Sequence, residues 1–281
     1  MTRRKRRSRR RRTEERERSN GTAPGAVSPG LTGGHYRPLS PEDVERIHEA
    51  SLEVLERVGI EVPPSEGREI FRAAGARMDD ETNRVYISRS MVEDALATAQ
   101  NEVLLAGRDP EHDMVLGGTR VYMGTGGAAV KVLDLETGRA RESTLADVAQ
   151  VGRLVDALDN IHFYLRCCVA RDVSNELLDI NTFYAAIANT GKHVTGNCYS
   201  VDTLREVLEM AELIAGSPDA LRERPFISFV TCWTVSPLRY APETVDVLTE
   251  VVRQEMPVFL SSAPQSGATS PAALAGSLVP V

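Results

Sequence analysis

The sequence predicts an α/β protein of the (β/α)8 TIM-barrel type, cut off after about half of the barrel and preceded by a small α+β region. Two observations carry this reading. From Thr144 onward apolar strand-like runs alternate with helix-patterned runs, and the strand starts at His162, His193, Phe226 and Pro257 lie 31, 33 and 31 residues apart. The strands are nearly continuously apolar, as in parallel sheets covered by helices, and no Gly-x-Gly-x-x-Gly turn accompanies them to favour a dinucleotide-binding sheet.

The N-terminal arm comes first. Residues 1–18 hold 11 of the 33 basic residues and 3 of the 40 acidic ones, so the arm is +8 while the rest of the chain is −15. The Arg/Lys run at residues 3–12 is followed by polar and charged residues and then by Ser, Gly, Pro and Ala up to Gly34. This composition cannot form a core, and residues 1–34 are expected to be a disordered basic tail. An export signal would need an apolar segment after the basic residues, and Thr13 to Ser19 is polar. A body this acidic is a poor binder of nucleic-acid backbone, so no specific nucleic-acid partner is expected.

Residues 35–143 are expected to form the α+β region. Ser40 is an N-cap, Pro41 stands at N1, Glu42 and Asp43 fill the first turn and Gly59 stops the helix. Val44, Ile47, Val54, Leu55 and Val58 share one face of it. Glu66 to Ala74 and Arg89 to Gln100 read as two further helices, separated by a strand at Arg84 to Ile87. Glu102 to Ala106, His112 to Leu116, Thr119 to Met123 and Ala129 to Asp134 read as short strands divided by turn residues. Gly124 to Gly127 lies between two of these and is expected to be a hairpin rather than a phosphate cradle.

Residues 144–281 are expected to form the partial barrel. Its first helix opens at Thr144, with Asp147 three residues on in a capping-box arrangement. Strands at His162 to Val169, His193 to Tyr199, Phe226 to Val235 and Pro257 to Ala263 alternate with helices at Leu177 to Ala188, Thr203 to Ala215 and Pro242 to Glu255. A fifth helix begins at Pro271 to Leu278, so Val281 is expected to be a poor natural C-terminus. The 42% hydrophobic and 26% charged content is ordinary for a globular chain, and no apolar run reaches the ~20 residues of a membrane helix. No membrane partner is expected. Four cysteines make no disulfide scaffold and suit reduced thiols in a cytoplasmic protein.

Barrel chemistry sits at the C-terminal ends of the strands, which selects Arg166 to Arg171, Gly196 to Ser200, Thr231 to Ser236 and Ser261 to Thr269. The selection is rich in aromatic, amide and hydroxyl groups and poor in carboxylates. It suits a cationic or neutral ligand held by Asn197, Tyr199, Trp233, Ser262 and Gln265, with Tyr122 and Tyr240 more distant. Packing between strand and helix is an equal reading for Tyr199 and Trp233. Cys168, Cys198 and Cys232 near three strand ends raise a zinc-thiolate site, against which stands the absence of any close-spaced ligand pair, so no metal is expected. His162 and His193 sit at strand starts, on the opposite face, and are expected to be structural. No catalytic residue can be named.

The runs GTRVYMGTGGAAVKVL (Gly118 to Leu133), TLADVAQVGRLVDALDNIHF (Thr144 to Phe163) and PQSGATSPAALAG (Pro264 to Gly276) resemble the trimethylamine methyltransferase family of corrinoid-dependent methyltransferases. The similarity covers the chain from about Leu39 onward. It implies a TIM barrel whose C-terminal face binds a tertiary or quaternary methylamine, of trimethylamine or glycine-betaine type, and passes a methyl group to Co(I). The corrinoid, of cobalamin type, would be carried by a separate corrinoid protein rather than bound tightly by this chain, and a homo-oligomer is expected. Two alternatives stand beside this reading: a zinc-dependent methyltransferase, and a truncated non-catalytic relative acting as an interaction protein through its basic arm.

Overall fold

The computed structural model describes residues 30–235 and 238–279. The expected disordered tail therefore lies, apart from residues 30–34, outside the described residues. Of those five, Leu31–Thr32 (β1) pair antiparallel with Arg120–Val121 (β7).

The first helix starts where the local chemistry dictates. Ser40 caps Pro41–Glu53 (α1), its hydroxyl accepting from Asp43 N at 3.1 Å while the Asp43 carboxylate accepts from Ser40 N and Oγ. The helix widens into a π turn over Val54–Val58 and stops at Gly59, where φ is +72°. A Cβ at Gly59 would also stand 2.7 Å from the Val85 carbonyl oxygen. Gly59→Ala is accordingly expected to lower stability by about 1–3 kcal/mol, read as a shifted urea midpoint.

The next elements are Ile60–Glu61 (β2), Glu66–Ala73 (α2), Arg77–Asp79 (β3), Arg84–Tyr86 (β4) and Arg89–Thr98 (α3). Strands β2, β3 and β4 join Thr234–Val235 (β13) and Arg239–Tyr240 (β14) in a five-stranded sheet of order β13-β14-β2-β4-β3. Ile60, Val62, Ala76, Val85, Tyr240 and Val245 form its core. Beyond it come the hairpin Val103–Leu105 (β5) and Met114–Leu116 (β6), then Lys131–Leu133 (β8) paired with Ala140–Glu142 (β9).

The second half follows the predicted alternation. Leu145–Ala157 (α4), Phe163–Leu165 (β10), Asn175–Ile187 (α5), His193–Gly196 (β11), Val201–Ala215 (α6), Pro218–Glu223 (α7), Ile227–Cys232 (β12), Pro242–Arg253 (α8), Val258–Ser261 (β15) and Leu274–Leu278 (α9) succeed one another. Strands β10, β11, β12 and β15 form one parallel sheet in sequential order, with Leu165 opposite Thr195, Gly196 opposite Phe229 and Cys232 opposite Ser261. Tyr164, Val194, Ile227 and Phe229 pack with Val148, Phe183, Leu204, Val207 and Val251 in the larger core. Strand β11 and most of β12 are buried and read as continuous apolar runs, whereas Leu260 and Ser261 of β15 are exposed.

The structure departs from the sequence reading in several places. The runs read as strands of seven to ten residues form ladders of three to six, and the remainder of each turns off the sheet at its C-terminal end. Gly124 to Gly127 is not a hairpin. The segment lies parallel to β10, with Gly124 bridged to Phe163 and Ala129 to Cys168, and Ala129 N donating to Cys167 O at 3.0 Å. A Cβ on Gly124 would come within 2.2 Å of the Phe163 ring, so only glycine lets the chain lie that close. Helix α7 and the hairpin β13–β14 were absent from the expected elements. Thr234–Val235 and Arg239–Tyr240 belong to the N-terminal sheet, and Gly124 and Ala129 are bridged to the parallel sheet, so strands are exchanged across the boundary expected at residues 143 and 144. No helix among the described residues is long and apolar enough to cross a membrane.

Candidate functional site

At the C-terminal ends of the parallel strands the chain turns off the ladder at Arg166, Asn197, Trp233 and Ser262. Arg166 extends the β10–β11 ladder by one bond, its N–H donating to Thr195 O at 3.1 Å. Its side chain is 7% exposed, yet Nε and Nη1 have no hydrogen-bond partner. Nη2 reaches Tyr199 Oη at 3.5 Å, and the guanidinium carbon stands 5.6 Å from the centre of the Tyr199 ring. Tyr199 itself is 55% exposed.

Tyr199 is anchored through its backbone. Its N–H donates to Asp179 Oδ2 at 2.9 Å, and Thr203 Oγ1 donates to the same oxygen at 2.7 Å. Asp179 projects from α5, is buried, and leaves Oδ1 without a partner. Ser200 caps α6 beside it, its hydroxyl accepting from Thr203 N at 3.2 Å. The Thr182 and Thr195 hydroxyls, also buried, are unpartnered too. Four unsatisfied polar side chains on β10, β11 and α5 are an unusual concentration, because buried polar groups in folded proteins are paired in the great majority.

The cysteines divide by environment. Cys167 and Cys168 follow β10 with their sulfurs 3.7 Å apart, and the Tyr164 hydroxyl lies 3.4 Å from Cys167 Sγ. The hydrogen bond between the two thiols lowers Cys167 to about 6 and raises Cys168. Burial pushes the Cys198 thiol up, while Cys232 is exposed. All four are free, and only Cys232 lies within a strand, the other three following β10 and β11. Among the described residues no three His, Cys, Asp or Glu side chains converge as a metal site would require, so Cys168, Cys198 and Cys232 do not make the zinc-thiolate group considered above.

The structure brings only part of the expected set together. Asn197 and Tyr199 follow β11 and Ser262 follows β15, two strands along at the same end of the sheet, and Gln265 follows in the loop after β15, where its carbonyl accepts from Ala268, Thr269 and Ser270 N. Trp233 turns away. Its ring packs 4.8 Å from that of Tyr240 and lines an apolar cleft of about 570 Å³ with Leu55, Phe71, Ile87 and Met91. Tyr122 lies at the opposite end of the sheet, edge-on to His162 and hydrogen-bonded to Val115 N and O. His193 is at that end as well, fully enclosed between Ala106 O at 2.9 Å and Ser228 Oγ at 2.7 Å.

Two residues of the strand-end cluster, Arg166 and Asp179, stood outside the expected ligand set. Arg166 was within the selected loop segment, and its signal is a lone charge between Leu165 and Cys167 in an apolar run. Asp179 carries a similar signal inside the apolar face of α5.

The model of the family described as "Trimethylamine methyltransferase (MTTB)" matches residues 3–281. The chain is 39% identical over 241 residues to trimethylamine methyltransferase MttB of Desulfitobacterium hafniense, covering 86% of this chain and 48% of the relative. It is 29% identical over 245 residues to the glycine betaine methyltransferase of the same species, covering 86% and 50%. It is 31% identical over 258 residues to trimethylamine methyltransferase MttB of Methanosarcina thermophila, covering 89% and 52%. A solved structure of an MtmB complex with hydroxylamine aligns over 85% of this chain and 54% of its own, with a TM-score of 0.44 and 10% identity. The chain spans about half the length of the curated relatives it matches. The match along residues 3–281 places this chain in the trimethylamine methyltransferase family.

Proposed function

We propose that this chain belongs to an enzyme that moves a methyl group from a tertiary or quaternary methylamine to the Co(I) of a corrinoid held by a partner protein. The family membership carries the reading, together with relatives named for trimethylamine and for glycine betaine. The parallel order β10-β11-β12-β15 and the helices packed on it support a (β/α)8 barrel organisation. Four free thiols support a cytoplasmic location.

A corrinoid carried by a partner protein would meet this chain at the strand ends, beside Asn197, Tyr199, Ser262 and Gln265, and the two imidazoles on the sheet, His162 and His193, lie at the far end. When bound, the corrinoid supplies the nucleophile. The chain's residues hold the amine: the Tyr199 ring offers its π face to the cationic nitrogen, and Asn197, Ser262 and Gln265 provide polar contacts around it. A quaternary nitrogen leaves as a neutral amine without needing a proton, which suits a site with no imidazole. Tyr122 and Trp233 are engaged elsewhere and are left out of these contacts.

Tyr199→Ala is expected to weaken binding of tetramethylammonium about fivefold in calorimetric titration, whereas Tyr199→Phe, which keeps the ring, stays within about twofold. Equal affinity for the Ala variant and the parent would remove Tyr199 from the site.

A further inference from the structure

We infer that Arg166 is a carboxylate subsite, so that the methylated amine preferred here carries an acid group of its own, as a betaine does. The inference rests on the proposed amine site for the cationic half of the ligand, but the anionic half stands on Arg166 alone. A guanidinium has five N–H donors in a planar fork, and burying it without acceptors is costly. Arg166 is 7% exposed and makes one long contact, to Tyr199 Oη at 3.5 Å, while Nε and Nη1 bond to nothing. Among the described residues Arg166 forms no ion pair. Asp179, the buried carboxylate nearby, spends Oδ2 on Tyr199 N and Thr203 Oγ1, and its unpartnered Oδ1 makes no hydrogen bond to the Arg166 guanidinium. An unneutralised guanidinium at a strand end is a vacancy for an anion, and a carboxylate meets its fork with two parallel hydrogen bonds.

The position also discriminates between amines. The Arg166 guanidinium faces the Tyr199 ring, so a simple ammonium bound against that ring is repelled by a neighbouring positive charge. An amine bearing a carboxylate turns this repulsion into an attraction, its anion meeting Arg166 while its N-methyl groups lie on Tyr199. Tyr199 is 55% exposed, so its ring can be reached from the surface beside Arg166.

Calorimetric titration of the full chain with four probes tests this: glycine betaine, its uncharged-end isostere 3,3-dimethylbutyrate, tetramethylammonium and inorganic phosphate. Arg166→Gln is expected to lose affinity for glycine betaine and for 3,3-dimethylbutyrate by roughly 10- to 100-fold and to bind tetramethylammonium no more weakly than the parent. Arg166→Lys, which keeps the charge without the fork, loses glycine betaine affinity to a lesser extent, and it serves should the Gln variant fail to melt cooperatively. Unchanged glycine betaine affinity in both variants overturns the inference while leaving the amine site intact. Equal losses for tetramethylammonium and glycine betaine also overturn it. If only 3,3-dimethylbutyrate binds, and does so through Arg166, the anion subsite stands and the amine reading falls. Phosphate displacing 3,3-dimethylbutyrate at lower concentration than glycine betaine does would overturn the carboxylate assignment.

Discussion

Replacing Lys192 by Met is expected to destabilise the chain by about 3–5 kcal/mol. Lys192 is 2% exposed, immediately before β11, and its ammonium donates to three carbonyl oxygens: Val155 at 2.7 Å, Leu158 at 2.7 Å and Ile161 at 2.6 Å. Those oxygens belong to the last turn of α4 and the link to β10, where a helix leaves its final carbonyls without donors. A cation there also meets the negative end of the helix dipole. Burial draws the Lys192 ammonium below its ordinary pKa, opposed by the charges of Asp156 and Asp159. Met fills the space but donates nothing, which strands acceptors between α4 and the sheet. Urea unfolding followed by Trp233 fluorescence measures the cost, and a loss under about 1 kcal/mol would mean that water replaces the ammonium there.

Stability should fall as pH drops from about 6.5 to 4, by roughly 3 kcal/mol from His193 alone. Burial holds the His193 imidazole at about 4. Its Nδ1 faces the Ala106 carbonyl, so the neutral ring carries its proton there and accepts from Ser228 Oγ at Nε2. On acidification the unfolded chain takes up a proton near the ordinary histidine value, whereas the folded chain resists until about pH 4. The stabilisation is therefore complete above pH 6.5 and disappears as pH falls through that window. Burial also lowers His162, which adds to the same slope. Asp147 acts lower on the scale, because the paired Arg141 guanidinium holds its carboxyl well below the usual range. His193→Gln should be less stable at pH 7.5 and show a much shallower loss between pH 6.5 and 4. A variant as pH-sensitive as the parent would move the effect to other groups.

The elements that local chemistry governs were legible in the sequence. Ser40 with Asp43, Thr144 with Asp147, and the 31- to 33-residue strand spacing each translated into a cap or a parallel strand, because capping and amphipathic period act over a few residues. What escaped was long-range. Gly124 looks like any turn glycine until the Phe163 ring, far along the chain, is seen lying on it. The hairpin β13–β14 is invisible for the same reason, since its partner β2 precedes it by more than 170 residues. At the site, strand ends could be counted out, which put Asn197, Tyr199 and Ser262 just past β11 and β15. Side-chain direction could not, so Trp233 was placed with Tyr199 although it packs on Tyr240. Arg166 stands in a selected strand-end segment, but an isolated arginine in sequence gives no sign that its donors will be buried without acceptors.

The proposed chemistry is tested most directly by incubating the chain with N-methyl-labelled glycine betaine or trimethylamine and chemically reduced cobalamin. The Co(I) absorbance and the amine products are then followed together. The account predicts that Co(I) is consumed in step with one demethylated amine per cobalt, faster with glycine betaine than with trimethylamine. Folded chain that binds glycine betaine through Arg166 and Tyr199 yet leaves both Co(I) and the amine unchanged would contradict methyl transfer by this chain.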